Sequence, residues 1–311
     1  MIDVHRLRIL RTVAERGSFA GAAAELHLTP SAVSQQVAAL ERSLGRPVVE
    51  RSTRGVTLTE PGRVLVETAE TVAAELSAAQ QRIEQLAAGT AGRLTIATFT
   101  SGGQALLPSA IVEVSAAHRD VELSVLEYEP EDSLAMVRGG RADLALAYHF
   151  GTIDPGPGLE WTPLMNDPML LTLPRGHPLA GRTSLKMSEV AGERWIEGCT
   201  DTGAMLQTHA ALAGFHPRFA CRTTDYLFTQ SLVAASAGIA LIPSVAVAES
   251  MSDQIVAIPV EPPTPMRYIG AVTARRRWPQ PLVTALLDAL GRSTRPGAAD
   301  GATAGSRRGS P

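Results

Sequence analysis

Gly17-Ser18-Phe19-Ala20-Gly21-Ala22-Ala23-Ala24-Glu25-Leu26-His27-Leu28-Thr29-Pro30-Ser31-Ala32-Val33-Ser34-Gln35-Gln36 is the stretch on which the reading of this chain turns. Gly17 ends one short helix, marked by Leu7, Leu10 and Val13, and Ser18 is placed to cap the next, Phe19 to Leu26. After the turn His27-Leu28, Thr29 offers a second N-cap and Pro30 takes the first helical position, where its missing N–H costs nothing. In the third helix Val33, Val37, Leu40 and Leu44 recur at helical spacing and face inward. Ser31, Gln35, Ala38, Ala39 and Arg42 then share an outer face that is polar or small. Spacing alone leaves two readings open, an ordinary helical hairpin and a DNA-binding helix-turn-helix.

Working outward, Val48-Val49-Glu50-Arg51 and Val56-Thr57-Leu58 read as two short strands around the turn Ser52-Thr53-Arg54-Gly55, a wing carrying two arginines. If the third helix enters a major groove, Ser31 and Gln35 near its start reach base edges or phosphates, glutamine being suited to bidentate pairing with adenine. Arg51 and Arg54 would hold flanking phosphate. Ser18, Thr29, Pro30 and Ser34 complete the candidate DNA-binding set.

Thr59 caps a long helix from about Glu60 to Ala88, with Gly89 and Gly92 beyond its end; at ~1.5 Å per residue it spans roughly 43 Å. Leu65, Ala69, Val72, Leu76, Ala79, Ile83 and Leu86 alternate steps of four and three, the period of a coiled-coil seam. Leu65, Val72, Leu76, Ile83 and Leu86 are therefore candidate dimerisation residues, the alternative being a solvated linker. A two-fold homodimer would present two recognition helices and read an imperfect palindrome in double-stranded DNA.

From Arg93 the pattern becomes strand (Leu94 to Thr98), helix (Gln104 to Ala116), strand (Val121 to Leu126), helix (Ser133 to Arg138) and strand (Ala142 to Ala147), which predicts a parallel α/β sheet. Thr294 to Pro311 holds only small, polar and arginine residues with proline and is expected to be disordered.

Composition agrees with several folded units. At 311 residues and 45% apolar content the chain can bury more than one core. The net charge of −3 carries no global nucleic-acid signal, but Met1 to Glu60 holds eight arginines against six acids, a local surplus of two positive charges. No h-region and no stretch of membrane-spanning length occurs, so a soluble cytoplasmic protein without membrane contact is expected. Cys199 and Cys221 are too few for a disulfide scaffold. Seven histidines show no metal-ligand spacing, so neither metal nor cofactor is expected, and no nucleophile elbow or phosphate loop points to an enzyme.

Gly17-Ser18-Phe19, Ala22-Ala23, Leu26, Ser31-Ala32-Val33-Ser34-Gln35-Gln36, Leu40-Glu41, Leu44-Gly45, Glu50-Arg51 and Leu58-Thr59-Glu60-Pro61-Gly62 together closely resemble the LysR-type transcriptional regulators. Weaker likeness runs through Gly140-Arg141-Ala142-Asp143-Leu144-Ala145-Leu146, His177-Pro178-Leu179-Ala180 and Ala237-Gly238-Ile239-Ala240-Leu241-Ile242-Pro243, reaching Arg292. One departure is Val49, where the family usually has phenylalanine; it makes a smaller plug under the wing.

The resemblance implies a multidomain chain: an all-α winged helix-turn-helix (1–59), a long dimerisation helix (60–89), and a two-lobed, periplasmic-binding-protein-like α/β effector domain (90–293). Lobe I would take about 90–162 and 268–293, lobe II about 163–267, with crossover strands near Trp161 to Asp167 and Met266 to Gly270. A small-molecule effector would sit between the lobes, touching Thr100, Ser101, Tyr148, Thr202, Gly203 and Thr223. Helix N-termini there would favour an anionic group; the alternative is that these hydroxyls only cap helices. Effector binding would change dimer or homotetramer geometry, DNA bending and contact with RNA polymerase. A redox-sensing branch of the family pairs cysteines in lobe II, where Cys199 and Cys221 both lie, without that branch's local sequence or spacing. The rival readings are a small-molecule binding protein without DNA function and an α/β enzyme using the same cleft.

Overall fold

In the computed structural model the described residues are 2–52, 55–88, 92–198, 200–275 and 280–294. The chain opens with α1 (Val4–Arg16), α2 (Phe19–Leu26) and α3 (Pro30–Leu44), then the hairpin β1 (Val49–Ser52) and β2 (Gly55–Leu58). The start signals act as expected: Ser18 Oγ accepts from the Gly21 N–H at 3.1 Å, and Thr29 Oγ1 from the Ala32 N–H at 3.2 Å. Such caps stabilise by about 1 kcal/mol each. Leu7, Leu10, Val13, Ala22, Ala23, Val33, Val37, Leu40 and Val48 close a common core, which Val49 joins from beneath the wing.

The long helix α4 (Glu60–Ala88) begins hard against this body. A side chain at Gly62 would place its Cβ 2.0 Å from the Val48 carbonyl oxygen, so only glycine allows the first turn to dock there. Leu65 and Ala69 enter the core of the same unit, and α1 packs along this part of α4. Leu65, 7% exposed, is thus an intrachain core residue and not an open seam position, whereas Leu76 and Ile83 are 60% and 66% exposed. The seam pattern is shared by two surfaces in succession, because the helix outruns the globular body that covers its first turns. Val72 is half-buried, and Leu86 lies outside the described side chains.

The second unit contains β3 (Arg93–Thr98), α5 (Thr100–Ala117), β4 (Glu122–Glu127), α6 (Pro130–Arg138), β5 (Leu144–His149) and β6 (Leu159–Pro174). There follow β7 (Arg194–Glu197), α7 (Thr200–Leu212), β8 (Arg218–Arg222), α8 (Tyr226–Ala234), β9 (Ala240–Pro243), β10 (Ile255–Pro259), β11 (Met266–Ala274) and α9 (Pro281–Ser293). Strands run β10-β6-β11-β5-β3-β4, with β9 also on β6 and β7-β8 as a separate parallel pair. β3, β4 and β5 are parallel as the alternation predicts, but β11 runs antiparallel to β5 and β6. The sheet is mixed because β6 leaves lobe I as one uninterrupted strand and β11 returns alongside it. The first half of β6 pairs with β11 and the second with β10 and β9, so one strand belongs to both lobes.

Lobe I buries Leu94, Ile96, Leu144, Leu146, Leu286 and Leu290 between sheet, α5 and α9, while Met136 and Val137 of α6 cover the other face. Lobe II is built around Trp195, Met169, Leu171, Leu173 and Leu206. The expected disordered tail lies outside the described residues, apart from Thr294.

Candidate functional sites

The first site is the outer face of α3. Ser31 and Gln35 are exposed on it, beside Thr29 and Pro30 at its start. Thr29 Oγ1 and Ser31 Oγ lie 3.1 Å apart and share a hydrogen bond. Arg51 is exposed but held: its Nη2 donates to Ser34 Oγ at 3.2 Å and its guanidinium stacks 4.6 Å from the centre of the Phe19 ring. A cation over an aromatic face gains roughly 0.5–1 kcal/mol when exposed, enough to hold the wing arginine beside the helix. Ser18 is half-buried and its oxygen is committed to the α2 cap. Arg54 lies outside the described residues.

Two residues that the site reading passed over organise this face. Phe19 is the platform under Arg51. Glu41 turns back to accept from the Val48 and Val49 N–H groups at 2.9 and 3.4 Å, tying the entry to the wing to α3. Leu40-Glu41 was visible as a motif, but the acceptor role needs the chain to fold back seven residues later.

The second candidate site lies where the two lobes join. There a buried ion pair links facing residues of the two crossover strands, Asp167 and Arg267, which are register partners. Arg267 is 1% exposed and Asp167 fully buried; Nη2 and Nε of the arginine lie 2.7 and 2.9 Å from Asp167 Oδ2. The other carboxylate oxygen accepts from Ser244 Oγ at 2.7 Å and the Val245 N–H at 3.2 Å. Arg267 also donates to Ser101 Oγ at 3.1 Å and lies against the rings of Phe99 and Tyr148, 4.9 and 4.8 Å from their centres. The Tyr148 hydroxyl donates to Glu129 at 2.9 Å.

Neither Thr100 nor Ser101 caps a helix. α5 starts at Thr100, four residues earlier than the sequence suggests, with Phe99 at the cap position and no side-chain cap. The two residues sit in the first turn, where Thr100 donates to Glu127 at 3.4 Å and Ser101 serves Arg267. Gly102 and Gly103 lower helix propensity and so hid this turn from a propensity reading.

In lobe II Gly203 and Thr223 lie beside Glu197, whose carboxylate is buried. Gly203 packs on it, the Thr223 N–H donates to the Glu197 carbonyl at 3.0 Å, and Arg222 Nε meets its side chain at 2.5 Å. Thr202 Oγ1 and the Tyr226 hydroxyl are 3.0 Å apart. The six candidates thus fall into two groups, one per lobe: Ser101 and Tyr148 contact the arginine of the Asp167–Arg267 pair and Gly203 packs on the carboxylate of the Glu197–Arg222 pair, and sequence reading missed both pairs. Nearby, His149 stacks on Tyr268 and meets Trp161 edge-on, and burial pushes its imidazole below the usual histidine range.

A cavity of about 740 Å³ opens elsewhere on lobe II, lined by Arg175, His177, Glu193, Arg194, Ser236 and Asp253 among others. Its charges of both signs nearly balance. Cys221 is half-buried on β8, and Cys199 lies outside the described residues. Among the described residues no cluster of ligating side chains suits a metal, and no helix is long and apolar enough to cross a membrane.

A winged helix-turn-helix with a polar exposed recognition helix, joined by a long helix to a two-lobed α/β domain, defines a ligand-responsive DNA-binding regulator. The chain belongs to the LysR family: the bacterial regulatory helix-turn-helix of that family matches residues 4–63 and the LysR substrate binding domain matches 87–295. It is a LysR-type DNA-binding transcriptional regulator with an effector-binding C-terminal domain. Similar proteins include the hydrogen peroxide-inducible genes activator of Dickeya chrysanthemi and the DNA-binding transcriptional dual regulator OxyR of Escherichia coli. Each is 30% identical over 276 residues, covering 87% of this chain and 89% of the relative. Among solved structures, a full-length OxyR variant from Pseudomonas aeruginosa has a TM-score of 0.59 at 23% identity, covering 93% of this chain and 95% of the other. The LysR family regulator HinK from the same organism has a TM-score of 0.59 at 21% identity, covering 94% and 99%.

Proposed function

We propose that this regulator works in the cytoplasm, without enzymatic turnover, as a homodimer that assembles into a homotetramer on imperfect palindromes in promoter DNA. Residues 1–59 bind DNA, 60–89 form the dimerising linker and 90–293 sense the effector. The observation that carries the DNA-reading assignment is the outer face of α3, where Ser31 and Gln35 are exposed beside an arginine already immobilised on Phe19. Thr29, Pro30 and Ser34 set the start of that face, and Ser18 holds α2 beneath it. The effector seats between Thr100, Ser101 and Tyr148 on one lobe and Thr202, Gly203 and Thr223 on the other. Asp167 and Glu197 are each neutralised by an arginine, which leaves the first-turn amides of α5 and α7 to favour an anionic group. Closure of the lobes alters the spacing of the half-sites and contact with RNA polymerase.

The test is fluorescence anisotropy of the purified protein on duplexes tiling the upstream region of its own gene, against random duplex over a range of salt. Preference for one palindromic segment supports the proposal; binding no tighter than to random DNA refutes it.

The names of the relatives motivate a second reading, a response to hydrogen peroxide through a cysteine. Adding peroxide to the same assay tests it: a change in affinity that Cys199→Ser or Cys221→Ser abolishes supports thiol oxidation as the input, and no change refutes it.

A further inference from the structure

The linker helix and the sensor meet at one carboxylate. On α4, Leu65 and Ala69 face the N-terminal core, while Ala74, 1% exposed, lies beneath lobe I. Gly140, at the turn after α6, comes so close that a Cβ there would be 2.9 Å from Ala74 Cα, and Gly158 approaches Thr71. Between these two contact zones sits Glu70. Its carboxylate is 3.8 Å from Nε of Arg138, the last residue of α6. Burial pushes the Glu70 carboxyl above its usual range, and Arg138 and then Arg11 of α1 draw it back.

Arg138 has few alternatives. Its Nε is buried without a hydrogen-bond partner. Arg138 spends Nη2 on the Pro155 carbonyl at 3.3 Å, whereas Arg11 of α1 pairs through its Nε with Glu15 on its own helix, 3.4 Å away. A cation held under low dielectric with an unsatisfied Nε feels a nearby carboxylate strongly. Glu70, on the helix against which the DNA-binding unit packs, therefore answers to an arginine of the sensor.

We propose that Glu70 is a positioning residue: through Arg138 it sets the angle at which each protomer's linker helix, and the DNA-binding unit packed on it, stands relative to lobe I, and so the distance between the two recognition helices. This rests on the regulator reading above. α6 is rooted in lobe I through Met136 and Val137, so a shift of the lobe carries Arg138 with it and reaches α4 at Glu70.

The experiment uses the full-length protein with Glu70→Gln, Arg138→Gln, the double variant and Arg138→Lys. Affinity is read on the two-half-site duplex identified above and on the same duplex with one half-site scrambled. Each glutamine variant is expected to lose about five-fold on the two-half-site duplex, the lower end of coupling between sites, and to stay within about two-fold on the single half-site. The double variant is expected to be no worse than the weaker single. Arg138→Lys is expected to retain most of the affinity, since at 3.8 Å the contact is Coulombic rather than a hydrogen bond. Unchanged two-half-site affinity, an equal loss on the single half-site, losses that multiply in the double variant, or failure of lysine to rescue overturns the proposal. If the unmodified protein does not prefer its own upstream duplex to random DNA, the regulator reading falls first and the proposal with it.

Discussion

Replacing Arg267 with methionine tests the account of the buried ion pair between the crossover strands. The substitution keeps an apolar stem of similar length but removes the guanidinium, with its charge and its contacts with the Phe99 and Tyr148 rings. Asp167, fully buried, is then left with Ser244 Oγ and the Val245 N–H on one oxygen and nothing cationic on the other. Breaking one side of such a pair costs about 3–5 kcal/mol, because a buried charge is left uncompensated. At an m-value of about 2–3 kcal/mol per M urea, that lowers the unfolding midpoint by about 1–2.5 M. The chain's tryptophans, Trp161, Trp195 and Trp278, all lie beyond the linker helix, so their fluorescence reports the sensor domain. Adding Asp167→Asn removes the orphaned charge while keeping an acceptor for Ser244 and Val245, and should recover most of the loss. A midpoint drop below about 0.4 M, or a double variant as unstable as the single, would refute the reasoning, since either means the carboxylate is not desolvated as the geometry requires.

Gln35→Ala should weaken binding to the specific duplex more than to random DNA, whereas Arg51→Ala should weaken both; equal losses for Gln35→Ala would contradict base readout. Leu76→Asp with Ile83→Asp, at two exposed seam positions, should yield monomers by light scattering, and an unchanged mass would sink the seam. The lowered His149 pKa gives a signed pH effect. Between its lowered folded value and the ordinary one near 6.5 the unfolded chain binds more protons, so stability falls as pH falls through that window. His149→Gln should flatten the slope; an unchanged urea-midpoint profile between about pH 7 and pH 5 would show that the imidazole is not desolvated.

The helix-turn-helix was legible because its signals are local. Ser18, Thr29 and Pro30 work through contacts no more than a turn away, and the spacing of Val33, Val37 and Leu40 reports directly which side of α3 is buried. The polar face of that helix followed by subtraction. The two-lobed domain came from family motifs and from strand–helix alternation, which cannot distinguish a parallel from a mixed sheet when one strand crosses both lobes.

What the tertiary structure alone decided was partnership. Leu65 and Ile83 carry the same seam signal, yet one is packed into its own domain and the other stands open, because periodicity records that a face is apolar and not what covers it. Arg267 and Asp167 are a hundred residues apart and meet only because two strands pair in one register. Glu70 and Arg138 come from two units, and nothing near either of them in the chain names the other. Local sterics and caps are written into neighbouring residues, whereas the pairing of distant charges is settled by strand register and helix docking, which exist only once the chain has folded.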